Sequence, residues 1–219
     1  LCDRLHAIGL RPINNIVDIT NFVMMEYGQP LHAFDRELLS GNKIIIRNAK
    51  KDEPFTSLDG NELKLGPDAL VIADAEKPVA LAGIMGGVNS QVSDTTQNLV
   101  LESAYFDSVA IRKASKKYGL RSDSSYRFER GVDIEGVITA QARAAWLIRE
   151  LAGGEICNGR IDIYPKSREN IKVFLRVARV NQLLGSDFKV ERISKIISRL
   201  GLSLIHISEP TRPRLISYA

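Results

Sequence analysis

Four short apolar runs lie between residues 43 and 102: 43–47, 69–73, 79–82 and 98–102. Each has the length of a strand and not of a helix, and turn signals separate them. Ser57-Leu58-Asp59-Gly60-Asn61 carries the Asp-Gly pair of a hairpin turn, and Gly86-Gly87 breaks the series again. The Ile44-Ile45-Ile46 run marks the first of them as a buried strand. Strands outnumber helices through residue 165 without alternating βαβ units. This restricts the chain to the α+β class, a mixed or antiparallel sheet with helices packed on it.

The helices are legible from their period and their ends. Ile16, Ile19, Val23 and Tyr27 share one face of a helix over 15–27, and Gly28 is placed to stop it. Ser108 is placed to cap a helix running to Tyr118 and Gly119. An Ala-rich helix over 133–152 surrounds Trp146 and ends at Gly153-Gly154. A strand is expected over 156–164, then a linker at Pro165-Lys166-Ser167-Arg168. A small α/β unit follows, with a strand over 171–175 and helices over 176–184 and 190–200. The chain opens on Leu1 without an initiator Met, as an excerpt of a longer protein would. Residues 202–212 resemble an in-frame translation of a sequencing adapter, so 202–219 are expected to be artefact and His206 is no ligand candidate. The expected domains are thus 1–165 and a truncated unit over 166–201.

Composition enters mainly by exclusion. With 44% hydrophobic and 26% charged residues the chain is neither disordered nor collagen-like, and no apolar stretch is long enough to span a membrane. Cys2 and Cys157 stand far apart with no CxxC partner, which fits a reducing, cytoplasmic setting and no thiolate metal site. No GxxxxGK[ST], GxGxxG, GxSxG or HExxH motif occurs. Nucleotide binding by those routes, nucleophilic catalysis and a histidine-based metal site are all unsupported. The net charge of +4 is unevenly spread, with seven basic against two acidic residues in both 112–130 and 171–201. Such strips fit a polyanionic partner or a solvated helix face.

Five segments, in order, resemble the B3/B4-type tRNA-editing module of the bacterial phenylalanyl-tRNA synthetase beta-subunit family. The first is Gly9-Leu10-Arg11-Pro12-Ile13-Asn14-Asn15-Ile16-Val17-Asp18-Ile19-Thr20-Asn21, followed by Gly28-Gln29-Pro30-Leu31-His32-Ala33-Phe34-Asp35. Then come Ala80-Leu81-Ala82-Gly83-Ile84-Met85-Gly86-Gly87, Leu101-Glu102-Ser103-Ala104-Tyr105-Phe106, and residues 119–133 around Ser122-Asp123-Ser124. Where the family more often has Thr-Asp-Ala, this chain has Ser122-Asp123-Ser124. Residues 171–201 resemble the start of the next domain, the winged-helix-like B5.

The resemblance implies hydrolysis of tyrosine mischarged onto tRNA(Phe). An apolar phenylalanine pocket rejects an added hydroxyl only weakly, by about 10², so a second site must reward that hydroxyl. It implies that Glu102 receives the phenol at the pocket floor, with backbone near Gly86 and a wall at Ser124. His32, Thr20 and Asn21 would orient ester, adenosine and water. Arg112, Lys113, Lys116 and Lys117 would meet tRNA. Each residue also has a plainer reading: Glu102 paired with an arginine, His32 a packed and hydrogen-bonded core residue, Thr20 and Asn21 helix surface, Ser124 a cap or turn. Residues 127–130 read equally as an internal salt-bridge cluster. For the whole enzyme the resemblance implies an alpha subunit in an α2β2 assembly, tRNA(Phe), ATP and Mg2+. It implies no cofactor or metal in this stretch. A non-catalytic RNA- or partner-docking module of the same fold, or a stand-alone editing-like protein, are the alternatives.

Overall fold

The computed structural model describes residues 1–165 and 173–204. The chain divides into two compact units, Leu1–Gly159 and Arg160–Ala219. In the first, α1 (Cys2–Ala7) and α2 (Asn15–Tyr27) precede β1 (Leu31–Asp35), β2 (Ile45–Asn48), β3 (Glu53–Thr56), β4 (Glu62–Leu65) and β5 (Leu70–Ala73). Next come β6 (Pro78–Leu81), β7 (Met85–Gly86), β8 (Leu99–Ser103), α3 (Ser108–Tyr118), α4 (Asp123–Phe128) and α5 (Gly136–Ala152). The described part of the second unit carries α6 (Val177–Leu184) and α7 (Val190–Arg199). The fold is α+β, and every paired strand is antiparallel. No described helix is long and apolar enough to cross a membrane.

Three sheets share the work. A four-stranded sheet runs β2-β5-β6-β7, while β3-β4 and β1-β8 form separate pairs. The β3–β4 connection is the Asp59-Gly60 turn, with Gly60 at φ 85°. The β1–β8 ribbon matters most, because its two faces serve different cores. Leu31 and Leu101 pack against Ile19 and Val23 of α2 and Ala140, Ala144 and Leu147 of α5. Strand alternation sends Phe34 and Val100 the other way, into the main core with Val71, Leu81 and Phe106. His32 and Glu102 lie on that second side, directly opposite each other in the register.

Several expectations need correction. Strand β2 is exposed instead of buried, with Ile46 56% accessible, because it is the edge of its sheet. The cap of α3 is Asp107, which accepts from the Ala110 N–H at 2.8 Å, and not Ser108. Helix α5 starts at Gly136, since Asp133 accepts from the Glu135 N–H and holds a turn before it. No strand forms over 156–164, where Ile161 is 90% exposed. Of the strand expected over 171–175, residues 173–175 are irregular, while 171 and 172 lie outside the described residues, as do 166–168 of the linker and 205–219 of the tail.

Candidate functional site

The Asn/Asp/Thr-rich segment before and within α2 is used largely for building the helix. Asn14 caps it, its Oδ1 accepting from the Val17 N–H at 2.9 Å. Buried Asp18 accepts from the Ile13 N–H at 2.8 Å and pins the preceding loop. The Thr20 hydroxyl donates to the Val17 carbonyl at 2.8 Å, a helical back-bond. Gln29 then ties the start of β1 to the end of β8 by donating to the Ala104 carbonyl at 2.8 Å.

These ties set up a small cleft between β1, β8, β7 and α4. His32, Glu102, Gly86 and Ser124 line it together, with apolar walls from Ile84, Met85 and Phe128. Thr20 and Asn21 are not among its lining residues. The four converging residues come from four elements, β1, β8, β7 and α4, and none is within 15 positions of another.

His32 packs edge-on against Phe34, ring centroids 4.5 Å apart, so the packed-core reading is half right. The hydrogen-bonded half is not, because its buried Nε2 has no partner. Leaving such an atom unpaired costs about 1–3 kcal/mol, a cost a ligand would relieve. Burial holds the imidazole down to about 4, so it is neutral at physiological pH. Gly86 makes room for it: a Cβ there would fall 2.5 Å from His32 Cε1.

The Glu102 carboxyl has no ion-pair partner among the described residues, which sets aside the arginine-partner reading. Burial pushes its carboxyl up to about 8, so it is mostly protonated at neutral pH. Two strongly shifted groups, face to face in one cleft with free hydrogen-bonding capacity, are the pattern expected of a binding or catalytic site.

Ser124 is not the cap of α4. That role belongs to Ser122, in a capping box with Ser125, and the Ser122 hydroxyl also donates to the Ile84 carbonyl at 2.6 Å. The helix is thereby fixed to the β6–β7 turn, and Ser124 forms its cleft wall. Ile84, Met85 and Phe128 were not picked out individually in the sequence; only their place inside the glycine-rich and 119–133 segments signalled them.

On α3, Arg112, Lys113, Lys116 and Lys117 are all exposed. Lys117 is engaged with Asp68 at 2.6 Å. Arg112 and Lys116 line a second, wider groove against α4, whereas Lys113 does not. Arg127 pairs with Asp123 at 2.9 Å and Arg130 with Glu129, so the internal salt-bridge reading of 127–130 holds. Among the described residues no group of three or more His, Cys, Asp or Glu is placed to hold a metal ion.

Comparison with known proteins agrees with this architecture. The family model described as the B3/4 domain matches residues 1–153. The chain is 52% identical over 200 residues to the phenylalanine–tRNA ligase beta subunit of Moorella thermoacetica, covering 91% of this chain and 25% of that protein. It is 51% identical over 210 residues to the beta subunit of Geobacter metallireducens, covering 96% and 26%. For Syntrophus aciditrophicus the figures are 49% over 202 residues, 92% and 25%. The chain therefore spans about a quarter of the length of these relatives.

Proposed function

The chain belongs to the B3/4 domain family, and from that premise we propose that its cleft hydrolyses the ester of tyrosine mischarged onto tRNA(Phe). The observation that supports this is the His32–Glu102 pair, opposed across β1 and β8 in one cleft, with the buried His32 Nε2 left without a hydrogen-bond partner.

Glu102 selects the substrate. A protonated carboxyl can donate to a phenol oxygen and accept the phenol proton at its carbonyl oxygen, filling both roles with one ligand group. A phenylalanine ring in the same place would seal that carboxyl away from water without a partner. Sites built to bind a hydroxyl reject the analogue lacking it by about 10⁴ or more. Ser124 and Gly86 bound the space open to the ring.

Neutral His32 presents Nε2 to the aminoacyl end, where it orients the ester or the attacking water without adding charge. Water oxygen bonds to the ester carbonyl carbon, the carbon–oxygen bond to the ribose breaks, and tyrosine and the free ribose hydroxyl are released. Thr20 and Asn21 act from α2 as positioning residues outside the cleft lining. ATP and Mg2+ are assigned to the ligation reaction of the whole enzyme, with an alpha subunit as partner, and no step here runs through them.

The test is single-turnover deacylation of tyrosyl-tRNA(Phe) with the 219-residue chain in excess. Ester loss well above the uncatalysed rate, reduced at least tenfold by Glu102→Gln, is expected. Survival of the ester at the uncatalysed rate overturns the proposal.

A further inference from the structure

The groove between α3 and α4 is a separate feature with its own chemistry. It is wide and open, and is lined by Arg112 and Lys116 of α3, Arg121 of the connecting loop, and Tyr126, Glu129 and Arg130. The two acids on this side, Asp123 and Glu129, are already taken by Arg127 and Arg130. Arg112, Lys116 and Arg121 have no ion-pair partner among the described residues. Arg112 and Lys116 are one helical turn apart and so share a face of α3. Three uncompensated cations thus converge on one concavity, against the electrostatic cost of like charges, which favours an anion between them.

The groove also carries a stacking element. Tyr126 is 57% exposed, and the Arg130 guanidinium lies 3.5 Å from its ring centroid. Cations that follow a backbone beside an exposed aromatic–guanidinium platform are the combination that binds single-stranded nucleic acid. A lipid surface is too flat to enter such a concavity.

Its position supplies the second argument. Helix α4 is a common wall: Ser124 and Phe128 line the cleft, while Tyr126, with Arg130 just beyond the helix, lines the groove. Ser122 lines the groove and bonds to Ile84, a residue of the cleft. Cleft and groove therefore lie on either side of the same short helix.

We propose that the α3–α4 groove holds the phosphodiester backbone of the single-stranded acceptor end of an RNA, through Arg112, Lys116 and Arg121, and so delivers its aminoacylated terminus to the cleft. This rests on the cleft being the hydrolytic site proposed above. It selects Arg112 and Lys116 from the basic residues of α3, adds Arg121, and leaves out Lys113 and the ion-paired Lys117.

The experiment measures the affinity of the full chain for tRNA(Phe) as a function of salt, by fluorescence anisotropy. The triple variant Arg112→Ala/Lys116→Ala/Arg121→Ala is compared with Lys113→Ala. Each single-strand phosphate contact contributes about 0.7 to the slope of log affinity against log salt, so the triple variant should lower it by about 2. Affinity at 0.1 M salt should fall at least tenfold. Lys113→Ala should change neither, and tRNA trimmed of its four 3′ nucleotides should bind both proteins alike. Hydrolysis of a tyrosyl ester of adenosine, which has no phosphates, should proceed at the same rate in the triple variant. An unchanged salt slope, an equal effect of Lys113→Ala, or an undiminished difference on trimmed tRNA overturns the groove assignment. If the parent protein cleaves neither ester yet the slope still falls by about 2, the hydrolytic reading fails and the groove stands.

Discussion

His32 and Glu102 are shifted in opposite senses by the same cause, burial, and this gives the pair a definite signature in pH. Glu102 rises from 4.5 to about 8, so folding takes up a proton there and its stabilisation is lost as pH climbs through that window. His32 falls from 6.5 to about 4, so its stabilisation is present above 6.5 and lost as pH drops toward 4. Between 4.5 and 6.5 the two slopes oppose each other. Above 6.5 only Glu102 acts, and stability should decline by at most about 2 kcal/mol by pH 8, given about 1.4 kcal/mol per unit. Urea midpoints should therefore fall from pH 6.5 to 8 in the parent and stay level in Glu102→Gln; parallel curves would mean the carboxyl is already ionised at 6.5. Gly86 gives a steric test of the same pair. Its φ is not in the left-handed region, so alanine is allowed by the backbone, but the new Cβ would meet His32 Nε2 at 2.8 Å and Leu58 Cδ1 at 3.0 Å. The imidazole is held against Phe34 and must leave its place. Gly86→Ala should cost about 1–3 kcal/mol in thermal unfolding. It should also cut single-turnover deacylation at least tenfold, and undiminished activity would show that the imidazole position is unimportant.

Helix α4 has six residues, too few to persist on its own propensity, so its ends and packing decide whether it forms. Ser122 supplies both, accepting from the Ser125 N–H at 3.0 Å and donating to the Ile84 carbonyl at 2.6 Å. Ser122→Ala should destabilise the fold by about 1–3 kcal/mol. Because Ser124 rides on this helix, KM for the mischarged tRNA should rise more than kcat falls. A loss confined to kcat would place α4 in the chemistry itself. That helix also marks the limit of what the residues disclose beforehand. Helix α2 was legible from its apolar period and from Gly28, at φ 72°, which stops it, while its cap at Asn14 emerged only in the structure. The turn at Asp59-Gly60 was equally plain. Short elements fixed by distant partners were not: β1, β7 and α4 depend on Ala104, Ala80 and Ile84, which local patterns cannot anticipate. The exposed isoleucines of β2 mislead for a related reason, since an apolar run signals a strand without saying whether that strand lies at an edge. In the site, His32, Glu102, Gly86 and Ser124 came from family resemblance and converge in the structure. The division of the α3 cations depended on knowing that Asp68 sits beside Lys117.

At the scale of the molecule the burial is lopsided. Both buried apolar clusters, the cleft and the groove lie within Leu1–Gly159. In the other unit Ile193 is the single buried hydrophobic among the described residues, and Leu183, Leu184 and Leu200 are each more than 60% exposed. A chain of about 150 residues buries some two-thirds of the surface its unfolded form exposes, enough for an independent domain, whereas two short helices with one buried side chain are not. We therefore propose that the first unit carries the cooperative unfolding of the whole chain, with the boundary in the irregular, exposed segment around Gly159, where the notional strand over 156–164 fails to form. A protein ending at Gly159 should show one calorimetric transition within a few degrees of the main transition of the 219-residue chain. It should also keep the full rate of tyrosyl-tRNA(Phe) deacylation, since no residue of the cleft or the groove is removed. A truncated protein that melts without a cooperative transition, or that folds but loses the reaction, would show that residues beyond 159 complete the domain or the site.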